Sequence, residues 1–360
     1  MSGTSLDGID VALLRSDGED VVERGPSATY AYRPEQQALL QEALKEAKTL
    51  TERTARPGIL GLAEQELTRW HADAVELFLQ ENDLNHSNID VIGFHGQTVI
   101  HRPEIRLTVQ LGDGAALAQR TGCTVVHDMR AADVAAGGQG APLVPVYHRA
   151  LAAGLEARPI AFINIGGVAN MTWIGRNGSL VAFDTGPGNA LLNDWCEHHT
   201  DLPFDRDGVL AAKGVLDTKA FLALAHSRYF EKPAPKSLDR NGFDVSVLQG
   251  LSAQDGAATL THFTATSIAR SVGHVPQRPA VYVICGGGRH NPTLMREIRG
   301  LLEPLGERVM VAEDAGFNGD AIEAEAWAYL AVRCLKGLPI SFPGTTGVSA
   351  PLSGGLIARP

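Results

Sequence analysis

Residues 181–195 read VAFDTGPGNALLNDW, and this stretch decides how the rest of the chain is interpreted. The apolar residues 181–183 predict a buried strand that ends at Asp184. Residues 186–188 predict a turn, and Asn189 is a suitable N-cap for the helix that follows. A carboxylate between a strand end and a helix N-terminus lies where open α/β sheets bind ligands. Asp184 is therefore a candidate general base at the mouth of a cleft, and the alternative is an Asp that only caps a tight turn.

The composition indicates a globular chain with a sizeable core and with room for two domains or one large one. The net charge of −10 argues against nucleic acid and against an anionic membrane surface as partners, but it does not exclude nucleotides. The four cysteines are scattered, so we expect them to be reduced and mostly buried. Neither a signal peptide nor a membrane-spanning run is recognisable, so we expect a cytoplasmic protein.

Two stretches share the pattern of a glycine turn that runs into an apolar strand. Residues 1–10, MSGTSLDGID, combine small hydroxyl side chains, two glycines and two carboxylates. Such a loop can offer N–H groups to phosphate and a carboxylate to a metal ion, although a flexible N-terminus is the alternative. Residues 161–174 predict a strand, a turn at Gly166 and Gly167, and a second strand. The repeated pattern suggests two related lobes that face each other across a cleft.

Other polar stretches are candidates for the walls of that cleft. In residues 94–98, FHGQT, Gln97 offers a donor and an acceptor, as sugar hydroxyls require, whereas a His at a strand end such as His95 is more often structural. Residues 127–145, HDMRAADVAAGGQGAPLVP, read as a crossing between lobes, with an ordinary glycine-rich linker as the alternative. The charged loops 204–208 and 236–240 could contact a ligand or remain solvated.

Residues 280–292 predict a buried strand that ends in three glycines. Bare glycine backbone allows a flat group such as adenine with its ribose to lie close. Asn291 can cap the helix that begins at Pro292. The GxGxxG pattern and the acidic residue of a dinucleotide-binding fold are missing, so a Rossmann dehydrogenase is disfavoured.

Assembled in order, these stretches resemble the anhydro-N-acetylmuramic acid kinase family of bacterial sugar kinases. The resemblance covers nearly the whole chain and is carried by MSGTSLDGID, FHGQT, TVQLG, HDMRAADVAAGGQGAPLVP, NIGGVAN, FDTGPGN, FDRDG, CGGGRHN and the AEAWAYLA segment next to Glu323. It implies an α/β, two-lobed actin-like ATPase fold with ribonuclease H-like lobes and an interdomain active-site cleft. We expect residues 1–127 plus 337–360 to form lobe I and residues 128–336 to form lobe II.

The resemblance also implies an activity. The expected enzyme uses ATP and Mg²⁺, opens the ring of 1,6-anhydro-N-acetylmuramic acid with water, and phosphorylates O6. The products would be N-acetylmuramic acid 6-phosphate and ADP. This reaction would serve the recycling of peptidoglycan sugars. A homodimer is also expected. The alternatives are a kinase for another anhydro sugar such as levoglucosan, a phosphate hydrolase on the same fold, and an ATP-dependent switch of the actin or chaperone kind.

Residue roles follow from the same resemblance. Asp184 is the expected base, and Asp7 is expected to hold Mg²⁺ through water. The sugar is expected to contact Gln97, Arg130, Asp133 and Glu323. ATP is expected to contact Gly3, Thr4, Ser5, Leu6, Asp7, Gly8, Ile9, Asp10, Gly166, Gly167, Gly286, Gly287 and Asn291.

One departure from the family pattern concerns the start of the sequence. The family normally has an apolar strand before MSGTS, and this sequence begins at Met1 of that motif. We expect weaker ATP binding and a less stable first lobe in a chain that truly lacks this strand.

Overall fold

The computed structural model describes residues 1–3, 6–238 and 242–360. They form two compact units: Met1–Ala153 together with Ala321–Pro360, and Gly154–Asp320. The strands and helices before residue 154 are β1 (Gly8–Ser16), β2 (Val22–Ala31), α1 (Pro34–Ala47), α2 (Ile59–Glu81), β3 (Val91–Phe94), β4 (Gln97–Arg102), β5 (Leu107–Leu111), α3 (Gly114–Thr121), β6 (Thr124–His127), α4 (Ala131–Ala135) and α5 (Pro145–Ala152).

The second unit follows, and the chain then returns to the first. The second unit contains β7 (Ile160–Ile165), β8 (Val168–Ile174), β9 (Leu180–Pro187), α6 (Ala190–Thr200), α7 (Thr218–Ala225), α8 (Ala253–Arg270), β10 (Val281–Cys285), α9 (Pro292–Leu302) and β11 (Arg308–Val311). The return segment contains α10 (Ile322–Leu335), α11 (Pro343–Thr346) and β12 (Leu356–Ala358).

The boundaries between the units differ from those that the sequence predicted. Residues 128–153 and helix α10 were expected in lobe II, but they belong to the first unit. The physical reason is side-chain packing: the Tyr147 hydroxyl on α5 donates a 2.7 Å hydrogen bond to Glu325 on α10, and both residues are buried. Helix α10 also packs against β1 and β3.

The second unit is built on one five-stranded sheet in the order β11-β10-β7-β8-β9. Strands β7, β8 and β9 are antiparallel neighbours, whereas β10 and β11 run parallel to β7. This is the strand arrangement of a ribonuclease H-like lobe, which confirms the α/β class and the lobe type predicted from the sequence. Helices α8 and α9 cover one face of the sheet, where Ile268 and Ile298 pack on Ile163 and Ile284.

The first unit contains shorter sheets. Strands β1 and β2 form a hairpin, β4 and β5 form another, and β6 lies between β3 and β12. The β1 hairpin and the β3 sheet are not hydrogen-bonded to each other within the described residues. An apolar cavity of about 110 Å³ lies at β1 and β3, with His71 of α2 in its wall.

The remaining expectations about the chain as a whole concern cysteines and membranes. Cys123, Cys196, Cys285 and Cys334 are buried, as expected, and they are not joined in disulfides. Among the helices of the described residues, not one is both long enough and apolar enough to cross a bilayer.

The packing of α10 on β3 depends on a glycine. A Cβ at Gly93 would lie 2.1 Å from the backbone oxygen of Trp327, so the two elements approach at a distance that only glycine permits. We expect Gly93→Ala to lower the free energy of unfolding by roughly 1–3 kcal/mol, as overpacking does. Urea unfolding followed by circular dichroism measures this change.

Gly61→Ala is the matched control. A Cβ at Gly61 on α2 would meet only the Arg56 backbone oxygen, at 3.6 Å. That substitution should leave stability unchanged or raise it slightly, because alanine favours helix. Equal effects of the two substitutions would contradict the close approach of β3 and α10.

Candidate active site

Asp184 lies at an irregularity in β9. The predicted strand end at this residue is wrong, because β9 continues to Pro187. Asn170 of β8 pairs with Asp184 and Ala169 pairs with Gly186, so Thr185 is the extra residue of a β-bulge. Bulges re-aim side chains and are frequent next to active sites. The bulge therefore sets the direction of the Asp184 side chain.

A loop distant in sequence fixes Asp184 in place. The Asp184 N–H donates to the Lys236 carbonyl (3.0 Å), and the Tyr229 hydroxyl donates to the Asp184 carbonyl (2.5 Å). The Leu238 N–H donates to Oδ2 of the carboxylate at 2.8 Å. Sequence reasoning left the loop at 236–240 undecided and did not find Tyr229, since no local pattern links either to Asp184. Asp239 and Arg240 of that loop lie outside the described residues.

The surroundings change the acidity of Asp184. Burial raises the pKa of this carboxyl to about 6, and the hydrogen bond from the Leu238 N–H opposes the increase. At neutral pH the group is ionised, yet it is more basic than an exposed Asp. This pKa suits a general base, whose efficiency is greatest near the working pH.

The glycine turn between β7 and β8 is tied to the end of β9. The N–H groups of Gly188 and Asn189 donate to the carbonyls of Gly167 (3.0 Å) and Gly166 (2.8 Å), respectively. Asn189 precedes α6 as predicted, but its side chain does not cap the helix; it donates to the Ile165 carbonyl at 3.2 Å. The predicted phosphate-facing glycines and Asp184 therefore belong to one connected segment of the second unit.

The glycines after β10 have two different environments. Gly286 has a φ of 74°, and a Cβ there would lie 2.3 Å from Oδ1 of Asn164, so only glycine fits. A Cβ at Gly287 would have no atom of the described residues within 4 Å. Gly287 thus presents open backbone, as the prediction of an adenosine surface requires.

A cavity of about 410 Å³ lies beside this open backbone. Its volume is in the usual range for small-molecule pockets. Two of its wall residues, Gly287 and Asn291, are nucleotide contacts in the sequence prediction, which leaves the loop 204–208 undecided. The other wall residues are Asn189, Leu192, Asn193, Phe204, Asp205, Arg206, Asp207 and His290.

Asn291 serves both the helix and the cavity wall. Its Oδ1 accepts from the N–H groups of Thr293 and Leu294, both at 3.0 Å, so the predicted cap of α9 is confirmed. The Thr293 hydroxyl donates to the Gly208 carbonyl at 2.9 Å. A Cβ at Gly208 would lie 2.2 Å from Asn291 Oδ1, so the charged loop approaches the start of α9 at a distance that only glycine permits.

In the first unit, the N-terminal motif forms the tip of a hairpin. Ser2 pairs with Ile9, and the Asp10 N–H donates to the Met1 carbonyl at 2.9 Å. Gly3 lies at the turn, whereas Gly8 begins β1 and pairs with Ala31 of β2. A Cβ at Gly8 would lie 2.6 Å from the Tyr30 carbonyl oxygen, so this position requires glycine. Thr4 and Ser5, both predicted to bind ATP, lie outside the described residues.

The side chains of this motif differ in what they can contact. Leu6 and Ile9 are buried in the core, so the structure limits their predicted ATP contacts to the backbone. The Asp10 carboxylate accepts from the Thr29 hydroxyl at 2.7 Å, whereas Asp7 is exposed at the turn. Asp7 is therefore the better placed of the two carboxylates for a metal ion.

Three of the four predicted sugar-binding residues lie near one another in the first unit. The Arg130 guanidinium donates to His95 Nε2 (3.0 Å) and to the Gly140 carbonyl (2.9 Å). Burial lowers the pKa of Arg130 to about 10, and the neighbouring Glu323 charge opposes this change. Glu323 is exposed at the start of α10. Gln97 is linked to His95 through Ser2: its Oε1 accepts from the Ser2 hydroxyl at 2.6 Å, and the Ser2 carbonyl lies 2.9 Å from His95 Nδ1.

Asp133 does not fit its predicted role in sugar binding. It is 1% exposed, and its two oxygens accept from the Gly140 N–H and the Thr346 hydroxyl, each at 2.6 Å. A buried carboxylate with both oxygens occupied holds the glycine-rich loop in place. Asp133 therefore anchors the glycine-rich loop and does not face a sugar.

The residues present are compatible with Mg²⁺ held largely by a nucleotide. In the described parts of the chain, the side chains of His, Cys, Asp and Glu form no group of three that could hold a metal ion. Mg²⁺ is commonly bound by one or two carboxylates, water and substrate phosphates. The exposed Asp7 carboxylate fits that arrangement.

Comparison with known proteins places these features in a family. A family model described as anhydro-N-acetylmuramic acid kinase matches residues 1–359. A relative of that name from Agrobacterium fabrum is 52% identical over 100% of this chain and 97% of its own length, and one from Rhizobium etli is 51% identical with the same coverage.

Among solved structures, (R)-2-hydroxyglutaryl-CoA dehydratase component A of Acidaminococcus fermentans aligns with 90% of this chain and 98% of its own. At 12% identity and a TM-score of 0.44, this likeness carries no conclusion. Full-length identity of about one half does carry one: with its glycine turns, Asp184 and the cavity beside Gly287 in place, the chain belongs to the anhydro-N-acetylmuramic acid kinase family.

Proposed function

We propose that this chain is an ATP-dependent kinase that opens the ring of 1,6-anhydro-N-acetylmuramic acid and phosphorylates O6. The products are N-acetylmuramic acid 6-phosphate and ADP, and the reaction serves peptidoglycan recycling. Family membership over residues 1–359 supports the substrate and the reaction. The single observation that carries the chemistry is the half-buried Asp184 carboxylate, whose pKa is raised to about 6.

The chemistry requires a base because the substrate has no free hydroxyl at position 6. An internal ether must be cleaved before O6 can accept a phosphoryl group. We assign to Asp184 the removal of a proton from a water molecule that attacks the anomeric carbon. The bond between that carbon and O6 breaks, and the released O6 takes the γ-phosphoryl group from ATP, with ADP as the leaving group. The Leu238 N–H holds one carboxylate oxygen, which fixes the orientation of the group during this step.

Phosphoryl transfer then depends on positioning and on neutralising charge. We assign to the N–H groups around Gly3 and Gly8 of the first unit, and around Gly166 and Gly167 of the second, the binding of phosphate oxygens. Thr4 and Ser5 are proposed members of this set on sequence grounds. Asp7 would hold Mg²⁺ through water, and that ion would offset the negative charge of the phosphates.

The cavity beside Gly287 is the proposed site of the adenosine. Its open glycine backbone suits a flat ring, and its volume of about 410 Å³ suits a nucleoside. Gly286 shapes the turn, and Asn291 contributes to the wall while its Oδ1 caps α9. Gln97, Arg130 and Glu323 are the proposed contacts of the sugar.

Replacement of the proposed base tests the function directly. We expect Asp184→Asn to lower kcat by roughly 10²- to 10⁴-fold, the usual contribution of a general base, while ADP binding stays within about twofold. Coupled ADP release with and without the anhydro sugar measures turnover, and calorimetry measures ADP binding. Release that does not depend on the sugar would indicate a phosphate hydrolase instead.

The exposed Asp201 provides the control for that experiment. It ends α6 with a positive φ of 57°, a conformation that asparagine also tolerates. Asp201→Asn should leave turnover unchanged. Full activity of Asp184→Asn would refute the assignment of the base.

The raised pKa of Asp184 predicts how stability depends on pH. Below about pH 4 the carboxyl is protonated in both folded and unfolded chains. Between pH 4 and 6 the unfolded chain ionises first, so the native protein loses stability relative to Asp184→Asn as the pH rises. Above pH 6 the difference levels off. Urea unfolding of both proteins at pH 4, 5, 6 and 7 measures it, and a difference that does not vary with pH would contradict the burial of this charge.

The open backbone at Gly287 can be tested with a single methyl group. We expect Gly287→Ala to fold normally but to weaken binding of a non-hydrolysable ATP analogue by roughly tenfold, since overpacking costs about 1–3 kcal/mol. Gly300→Ala on α9 is the control, because its Cβ would also be in open space and away from the cavity. Calorimetry measures both, and equal affinities would place the nucleotide elsewhere.

A further inference from the structure

His95 connects two sets of residues that have separate roles in the proposed function. It lies between β3 and β4 and is buried. Its Nδ1 is 2.9 Å from the carbonyl oxygen of Ser2, which directly precedes the turn at Gly3. Its Nε2 is 3.0 Å from the guanidinium of Arg130, a proposed sugar contact.

The chemistry of arginine fixes the protonation state of His95. A guanidinium has only N–H donors and cannot accept a hydrogen bond. The Nε2 atom must therefore be the acceptor, so the ring proton is on Nδ1 and is donated to the Ser2 carbonyl. The imidazole is neutral, and both of its nitrogens are used.

The residues on either side of this ring are themselves held firmly. The Ser2 hydroxyl donates to Gln97 Oε1 at 2.6 Å and lies 2.9 Å from the Tyr32 hydroxyl. On the other side, Trp327 contacts both His95 and Arg130. Its ring is edge-on to the His95 ring, with 4.6 Å between the centroids, and the Arg130 guanidinium lies 5.0 Å from the centroid of the Trp327 ring. A change at His95 would therefore reach both Ser2 and Arg130 through single, well-defined hydrogen bonds.

We propose that His95 is a positioning residue that couples the phosphate-binding turn to Arg130. Through Nδ1–H it sets the backbone that leads into Gly3, and through Nε2 it sets the direction of the guanidinium. The inference rests on the proposed function, which assigns phosphate to the turn and sugar to Arg130. His95 touches neither substrate in this assignment.

Two amide variants separate the two hydrogen bonds. The asparagine amide reaches the position of Nδ1, and the glutamine amide reaches the position of Nε2. His95→Asn keeps a donor for Ser2 but loses the acceptor for Arg130, so we expect the KM for the anhydro sugar to rise roughly 3- to 10-fold, the effect of one hydrogen bond, with ADP binding unchanged. His95→Gln should show the opposite bias: weaker ADP binding, and a smaller rise in the sugar KM than His95→Asn gives, because Ser2 also holds Gln97. His226→Gln, at an exposed histidine on the second unit, should change neither.

The crossed pattern distinguishes coupling from a purely structural role. Equal losses of sugar and ADP affinity in both variants, or no loss in either, would overturn the proposal. Wild-type turnover of the anhydro sugar is measured first. If that turnover is absent, the proposed function fails and the coupling fails with it; if it is present and the pattern is not crossed, only the coupling fails.

A measurement on the unmodified protein does not depend on the folding of variants. Nitrogen-15 NMR distinguishes protonated from unprotonated ring nitrogens. We expect His95 at pH 7 to be neutral with its proton on Nδ1. A proton on Nε2, or a charged ring, would be incompatible with the hydrogen bond from Arg130 and would overturn the proposal.

Discussion

The site depends on the cost of keeping a charged carboxylate out of water. Asp184 is half-buried, and within the described residues the donor to its carboxylate is a single backbone N–H, from Leu238. One neutral donor does not fully replace the water that the charge loses on burial. The remaining penalty raises the pKa of the Asp184 carboxyl, so its carboxylate is more basic than that of an exposed Asp. The bulge at Thr185 and the hydrogen bond from the Tyr229 hydroxyl hold the Asp184 backbone in this position.

Both units use glycine to bring segments of backbone close together next to the residues proposed to bind substrates. In each, backbone is brought close enough that only glycine fits, as at Gly8 in the first unit and Gly286 in the second. Gly8 allows β1 to approach the Tyr30 carbonyl closely, and Gly286, with its positive φ, allows the turn that follows β10. The proposed catalytic carboxylate and the cavity proposed for the nucleoside belong to the second unit, whereas Arg130 and its hydrogen-bond partners belong to the first.

Sequence patterns predicted what depends on neighbouring residues. As predicted, the β7–β8 hairpin turns at Gly166 and Gly167, and Asn291 caps α9. Features that depend on distant pairing were not predictable. The bulge at Thr185 arises from register with β8, and the burial of Asp133 arises from Thr346, far along the chain. The homodimer that the resemblance implies stays a prediction.

The double use of Asn291 limits how this protein can be redesigned. Its carboxamide oxygen caps the N-terminus of α9, and Gly208 approaches that oxygen closely. Exchanging Asn291 to alter the base preference of the proposed nucleoside site would therefore also remove the cap of α9 and change the packing of the charged loop. The base selectivity of the proposed nucleoside site is therefore better engineered at Phe204 or His290, which line the same cavity and do not cap α9. The capping requirement thus restricts which side chains position 291 can accept, whereas Phe204 and His290 carry no such restriction.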